Sequence, residues 1–354
     1  MKEKKVYVGM SGGVDSSVSA TLLKEQGFTV TGVFIKVWQP DWMACTWRDD
    51  RLDAMRVCVK LGIPFVTLDL EKEYKKDVVD YMINEYKSGK TPNPDVMCNK
   101  YVKFGGFFNW AMARGADYIA TGHYAQIKEK DRAFKLIAGA DQGKDQTYFL
   151  WTLTQRELSK TLFPVGNTEK SETRKLARKF NLPVAEKRDS QGLCFIGKVD
   201  IKEFLSHYIE PKKGNVLDEK GNILSKHNGA LFYTLGERFG FEYTKKTPAE
   251  KPYYVTSRDI KKNTLTVSHK SPEGTLSAEK KEYKLGFINW ISSAPKLQKK
   301  YTARIRHLGD LLLCQLELKE KEVNIIFENP LIIASGQSIV VYDEKECLGG
   351  GIVI

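Results

Sequence analysis

Val6-Tyr7-Val8-Gly9-Met10-Ser11-Gly12-Gly13-Val14-Asp15-Ser16 is the stretch that decides the fold of this chain. An apolar run ends in glycines and hydroxyls, and beyond it Val14, Val18 and Leu22 recur at four-residue spacing, the pattern of a strand, a tight turn and a helix. The glycines let backbone approach an anion with no Cβ in the way, and the unpaired N–H groups of a helix start point at it. Ser11, Ser16 and Ser17 add hydroxyl donors. The stretch therefore reads as a phosphate loop rather than an ordinary Gly-Gly turn.

A Walker A loop would carry a lysine for the terminal phosphates. Here Asp15 stands where positive charge is expected, which makes sense if its carboxylate helps to hold Mg²⁺ beside a triphosphate. The pattern resembles the PP-loop of the ATP pyrophosphatases. That resemblance implies attack at the α-phosphorus, release of pyrophosphate and adenylation of a substrate oxygen.

Working outward, strand-like and helix-like patterns alternate: Thr29 to Ile35, a helix through Leu52, Met55 and Val59, then Pro64 to Leu68. A second helix carries Tyr74, Val78, Tyr81 and Met82, a third carries Phe104, Phe107, Phe108 and Ala111, and the strand Tyr118 to Thr121 closes the series. Repeated βα units predict an α/β domain with a parallel sheet, whose ligand binds at the carboxyl ends of the strands. Met10, Ile35 and Thr121 end three of these strands, so Gly9 to Ser16, Ile35 and Gly122-His123 should converge. After about residue 197 the pattern changes to turn-rich, short β-like segments, and from Tyr283 onward closely spaced strands predict a small β-barrel. The expected division is residues 1–197, a PP-loop catalytic domain; 198–275, a small central domain; and 276–354, the barrel.

The 354 residues hold 56 Lys plus Arg against 44 Asp plus Glu, a net charge of +12, which favours a polyanionic partner unless it is a compositional bias. There is no apolar run long enough to span a membrane and no signal-peptide core, so the chain reads as cytoplasmic, with no membrane partner. Six widely spaced cysteines without C-x-x-C argue against a disulfide scaffold and a zinc ribbon.

Two of the cysteines stand in polar, turn-shaped settings. Cys98 follows Thr91-Pro92-Asn93-Pro94-Asp95-Val96-Met97, where two prolines stiffen a loop and the cysteine is expected to begin the next helix beside Lys100, a setting that favours thiolate. Cys194 lies in Asp189-Ser190-Gln191-Gly192-Leu193-Cys194-Phe195-Ile196-Gly197. Only tertiary folding can bring the two together. Cys58, on a helical face shared with Met55 and Val59, reads as a buried small hydrophobe, as do Cys314 and Cys347 in the barrel strands. Trp38, Trp42 and Trp47 are either packing or a base-stacking surface.

The ordered set Gly9 to Ser16, Asn93-Pro94-Asp95 with Cys98-Asn99, Ala120-Thr121-Gly122-His123-Tyr124, Lys144-Asp145-Gln146, Asp189-Ser190 with Cys194 to Gly197, and Leu348-Gly349-Gly350-Gly351 resembles the tRNA-specific 2-thiouridylase family (MnmA/TrmU) over essentially the whole chain. The resemblance implies a sulfurtransferase that replaces the C2 oxygen of the wobble uridine (position 34) with sulfur. ATP with Mg²⁺ would activate the oxygen, and the substrates would be tRNAs of the Lys, Glu and Gln type. By the same resemblance, Gly9, Met10, Ser11, Gly12, Gly13, Val14, Asp15, Ser16, Ile35 and Gly122 would contact ATP, and Asn93, Pro94 and Asp95 would meet the target base, with Asp95 in the catalytic group. Cys98 would be the nucleophile, and Cys194 would carry a persulfide received from a cysteine desulfurase or sulfur-relay protein, with a transient Cys98–Cys194 disulfide. His123, Lys144, Asp145, Gln146, Arg306, His307 and Gln337 would lie against tRNA.

Ile35 stands where the family usually has methionine, and Glu237 and Phe239 replace a neutral and a basic residue in the central domain. Three alternatives stay open at this level. One is another PP-loop activity such as lysidine synthesis or nucleotide amination, the second is a tRNA-binding protein without catalysis, and the third is an iron–sulfur cluster on Cys98, Cys194 and Asp95 in place of the persulfide.

Overall fold

The computed structural model describes residues 3–43, 47–189, 200–239, 252–269, 280–297, 299–319 and 322–354. Its first domain opens with β1 (Lys5–Gly9), α1 (Val14–Glu25), β2 (Thr29–Lys36), α2 (Trp47–Leu61) and β3 (Phe65–Asp69). A helical stretch follows, from α3 (Glu71–Tyr74) through a π-helical run to α4 (Tyr81–Lys87), and a second runs from α5 (Pro94–Met97) through Cys98–Phe107 to α6 (Phe108–Ala113). After β4 (Tyr118–Ala120) comes a hairpin, β5 (Ala125–Lys130) and β6 (Ala133–Ala138), then α7 (Gln155–Leu158), β7 (Thr161–Leu162) and α8 (Lys170–Lys179).

The sheet is parallel, in the order β3-β2-β1-β4-β7. Alternation along its strands sends side chains to two cores. Val6, Val8, Phe34 and Ala120 pack with α1, α2 and α8, whereas Val33, Ile35 and Ile119 pack with the helices between 71 and 113. The expected α/β reading is thus met, with β7 as an extra edge strand too short to stand out in the sequence.

One helical face differs from expectation. On α2 the buried residues are Ala54, Val57, Cys58 and Leu61, while Val59 and Leu52 are exposed. Gly32 on β2 is the cause. A Cβ there would lie 2.4 Å from the Cys58 Sγ, so the missing side chain makes room for the thiol and sets the roll of α2.

The central domain begins with α9 (Ile201–Ser206) and contains β8 (Gly214–Leu217), β9 (Ile223–His227), β10 (Arg238–Phe239), β11 (Tyr253–Asp259) and β12 (Thr264–Ser268), in the order β10-β11-β12-β8-β9. Both unusual residues of this domain have local structural work. Phe239 packs with Val216, Val255, Leu265 and Val267, and Glu237 accepts from the Thr234 N–H at 2.9 Å and pairs with Lys202 at 2.6 Å.

The C-terminal domain is a barrel of β13 (Glu282–Trp290), β14 (Tyr301–Arg304), β15 (Leu312–Lys319), β16 (Glu322–Phe327), β17 (Ser338–Asp343) and β18 (Glu346–Val353). Its order, β13-β16-β15-β14-β17-β18, is closed by the pairing of β13 with β18. The glycine run in β18 allows the closure: Gly349 has φ +128°, and a Cβ on it would lie 2.0 Å from the Asn289 carbonyl oxygen. Among the described residues no helix is long and apolar enough to cross a membrane.

The barrel is sewn to the first domain. Strand β18 pairs with β6, Asn289 Nδ2 donates to the Trp151 and Leu153 carbonyls at 2.8 and 2.9 Å, and the Tyr148 hydroxyl donates to the Ser338 carbonyl at 2.9 Å. At the centre of this seam Arg304 Nη1 donates to Asp145 Oδ2 at 2.6 Å, with Asp145 1% exposed. Removing one member of a buried ion pair strands the other charge. Arg304→Met is therefore expected to cost about 3–5 kcal/mol of stability in chemical denaturation, and to expose the 145–155 loop to limited proteolysis.

Candidate active site

The strand order reverses direction between β1 and β4, because β2 and β3 follow on one side of β1 while β7 lies beyond β4. That switch point opens a crevice at the carboxyl ends of the strands. The loop after β1 lies there, anchored by Met10 N donating to the Val33 carbonyl at 2.8 Å. Its hydroxyls fold it on itself: Ser11 N donates to Ser16 Oγ at 3.2 Å, and Ser17 Oγ donates to the Gly13 carbonyl at 2.7 Å. Gly12 has φ +73°, and a Cβ on it would collide with the Asp50 carbonyl oxygen at 2.2 Å.

Gly13 caps α1 in an extended conformation with no side-chain cap bond, which leaves the first-turn N–H groups directed into the crevice. Across the crevice, the segment after β4 touches the same turn. A Cβ on Gly122 would lie 2.7 Å from the Ser16 nitrogen and 2.8 Å from the Asp15 carbonyl carbon, so only glycine fits. Gly9 to Ser16 and Gly122 are thus brought together. Met10 and Ile35 are buried beside them at strand ends.

The Asp15 carboxylate is held from two sides. The Tyr124 hydroxyl donates to it at 2.8 Å, and Lys170, the first residue of α8, reaches both its oxygens at 2.7 and 2.8 Å. Lys170 also pairs with Asp189 at 3.0 Å, and Asp189 is met by Lys144 at 3.0 Å and Arg174 at 2.6 Å. Burial pushes the Asp189 carboxyl up, but hydrogen bonds and charge from Lys170 and Lys144 outweigh it and hold the group at about 2. Burial pushes the Tyr124 phenol up, and the charge of Asp15 beside it pushes it further. Sequence reasoning assigns no role to Lys170 or Arg174, and quotes Tyr124 only within a motif; nothing local marks Lys170 or Tyr124, whose shared partner Asp15 lies more than a hundred positions away.

The Asn93-Pro94-Asp95 segment is half-buried and starts α5. Asn93 is the helix cap, its Oδ1 accepting from the Asp95 and Val96 N–H groups at 3.1 and 3.2 Å, with Pro94 in the first turn. The helix therefore begins at Pro94, and Cys98 sits a turn inside it rather than at its start. The cysteine is fully buried in the core with Met97 and Val102. The Lys100 ammonium lies 3.8 Å from the centroid of the Phe287 ring on the barrel, and desolvation lowers its pKa. Cys194, with Ser190 and the residues up to 199, lies outside the described residues, as does Cys45. Among the described residues no group of three His, Cys, Asp or Glu side chains is placed to hold a metal.

The residues expected against tRNA fall into two sets. Lys144, half-buried Gln146 and exposed Arg306 have surface, as have half-buried His307 and Gln337. His307 packs on Phe149 with ring centroids 4.3 Å apart. Gln146 Oε1 accepts from the Tyr124 N–H at 3.0 Å and Gln337 Oε1 from the Ala334 N–H at 3.2 Å, so both brace loops. Asp145 and His123 are instead buried. His123 is 6% exposed, bonded to Thr121 Oγ1 at 2.7 Å and packed against Phe104 and Phe163, and burial followed by the charge of Lys103 holds its pKa well below the usual value. Trp42 stacks on His207 of the central domain, 3.8 Å between centroids and 10° between planes, which ties the loop after β2 to the end of α9.

Residues 4–198 match the model of a tRNA methyl transferase HUP domain, 202–269 a tRNA methyl transferase PRC-barrel domain, and 280–353 an aminomethyltransferase beta-barrel domain. Among solved structures, the U34-tRNA thiolase NcsA of Methanococcus maripaludis, with its 4Fe–4S cluster, overlaps 58% of this chain and 64% of its own at a TM-score of 0.36 and 19% identity. The tRNA-specific 2-thiouridylase MnmA of Geobacillus thermodenitrificans is 42% identical over 99% of this chain and 95% of its own. The protein of the same description from Francisella tularensis subsp. holarctica is 42% identical over 100% of both. With such identity running end to end through all three matched regions, the chain belongs to the tRNA-specific 2-thiouridylase family.

Proposed function

We propose that this protein adenylates the C2 oxygen of a wobble uridine in tRNA, of the Lys, Glu and Gln type, and replaces that oxygen with sulfur from a protein persulfide. The observation that carries the reading is the uncapped start of α1, closed against Gly122 at the switch point of the sheet. It offers oriented N–H donors to a triphosphate, and a side chain at Gly122 would displace the first turn that carries them. Catalysis is assigned to residues 1–197, and tRNA contact to residues 198–275 and 276–354 as well, with Arg306, His307 and Gln337 on the barrel.

The Asp15 carboxylate, at the loop mouth and bonded to a lysine and a phenol, fits a cation that is shared with phosphates, since Mg²⁺ in nucleotide sites usually takes one or two carboxylates. When bound, Mg²⁺ would neutralise triphosphate charge. The uridine oxygen is a poor leaving group. Its attack on the α-phosphorus expels pyrophosphate and turns it into the oxygen of AMP, which leaves readily. A perthiolate on Cys194 then bonds to C2 as AMP departs, and Cys98 attacks the inner sulfur. This releases 2-thiouridine and leaves a Cys98–Cys194 disulfide that an external thiol reduces. Cys98 is suited to the second step because it is fixed in the helix that Asn93 caps, beside the segment assigned to the base. A cysteine desulfurase or relay protein would load Cys194.

Purified protein given unmodified tRNA, ATP and a sulfane-sulfur donor is expected to form 2-thiouridine with equal AMP and pyrophosphate, read by nucleoside mass spectrometry. Release of ADP would exclude the reading. Cys194→Ser is expected to lose persulfide labelling and thiolation, whereas Cys98→Ser should keep the label yet fail to turn over. Both should still adenylate tRNA. A persulfide found on Cys98 and never on Cys194 would reverse the assignment. Gly122→Ala is expected to raise the KM for ATP by about tenfold through overpacking at the crevice, with tRNA affinity unchanged.

A further inference from the structure

The phosphate loop has no lysine of its own, yet a lysine stands in its mouth. Lys170 is brought from α8, 155 positions along the chain from Asp15, and its side chain is only 12% exposed. Its backbone N–H is fixed by Asp141 Oδ2 at 3.0 Å, which sets the first turn of α8. Its ammonium bonds both oxygens of Asp15 and one of Asp189. The Tyr124 ring lies 5.8 Å away on the remaining side.

Three carboxylates and three cations gather here: Asp15 and Asp189 are faced by Lys170, Lys144 and Arg174, and Asp141 accepts from the Lys170 N–H, so the cluster is balanced before a nucleotide enters. Lys144 and Arg174 satisfy Asp189 without Lys170. A cation that takes over the Asp15 carboxylate would therefore free the Lys170 ammonium without leaving any carboxylate unpaired. Charge-assisted hydrogen bonds to phosphate oxygens are the interaction an ammonium in this place can make.

We propose that Lys170 is the pyrophosphate-binding cation of this site: held by Asp15 and Asp189 before the nucleotide enters, it transfers to the β- and γ-phosphates and stabilises the charge that builds on pyrophosphate as its bond to the α-phosphorus breaks. It supplies from α8 what a phosphate-loop lysine supplies elsewhere. The inference rests on the adenylation reading above and adds to it a residue and a ligand contact.

The test is calorimetric titration of the purified full-length protein with ATP, inorganic pyrophosphate and AMP, each with magnesium. Lys170→Met is expected to weaken ATP and pyrophosphate by about tenfold or more, to leave AMP within about twofold, and to be largely restored by Lys170→Arg. If Lys170→Met does not fold, Lys170→Gln keeps donors for both carboxylates without the charge, and the same ratio between pyrophosphate and AMP is read. Equal weakening of AMP and pyrophosphate, or no weakening of either, would overturn the role of Lys170 and leave the adenylation reading standing. A wild-type protein that bound AMP, ATP and pyrophosphate not at all would overturn both.

Discussion

The close approach of Gly122 to the first turn of α1 is the constraint on which the rest depends. The backbone after β4 can lie against the Ser16 nitrogen only because no Cβ intervenes. That approach fixes how far β4 stands from the loop of β1, and so the width of the crevice at the switch point. It also brings Tyr124, two residues on, within 2.8 Å of Asp15, which orients the carboxylate toward Lys170. A wider crevice would leave the helix start facing water, where its N–H groups would be satisfied without a nucleotide.

The second organising element is the loop from Lys144 to Leu153. Lys144 meets Asp189 beside the nucleotide end, Asp145 meets Arg304 in the barrel, the Tyr148 hydroxyl bonds to the Ser338 carbonyl, and the Trp151 and Leu153 carbonyls accept from Asn289. Ten consecutive residues therefore touch both the phosphate end of the sheet and the barrel. In the proposed reaction this matters because a tRNA gripped by the barrel must present one base to the crevice within a fraction of an ångström. A buried ion pair and a paired strand hold that register better than a flexible linker. Asp145 serves this rigidity from a buried position, and His123 is buried within the first domain against Phe104 and Phe163; a sequence pattern alone does not separate such positions from exposed ones.

Much of the site was legible because its chemistry is local. Glycines, hydroxyls and the following apolar period lie within a dozen residues, so the loop, its strand and its helix could be read directly, and the alternating strands gave the parallel sheet and the barrel. What escaped is long-range. Lys170 opens a helix whose own pattern says only that it is amphipathic, and its meaning comes from Asp15 and Asp189. The roll of α2 was misread because it depends on a missing side chain at Gly32 on another element. Cys98 was expected at a helix start because the two prolines drew attention, whereas Asn93, as the cap, moves the start back to Pro94.

The most direct measurement of the central claim follows one oxygen atom. A tRNA carrying ¹⁸O at C2 of the wobble uridine, turned over with unlabelled ATP, water and a sulfane-sulfur donor, should pass its label into the phosphate of AMP as 2-thiouridine forms. If the base oxygen attacks the α-phosphorus, every AMP released with product carries one ¹⁸O. AMP without label, with the ¹⁸O found in water or in pyrophosphate, would contradict adenylation of the uridine.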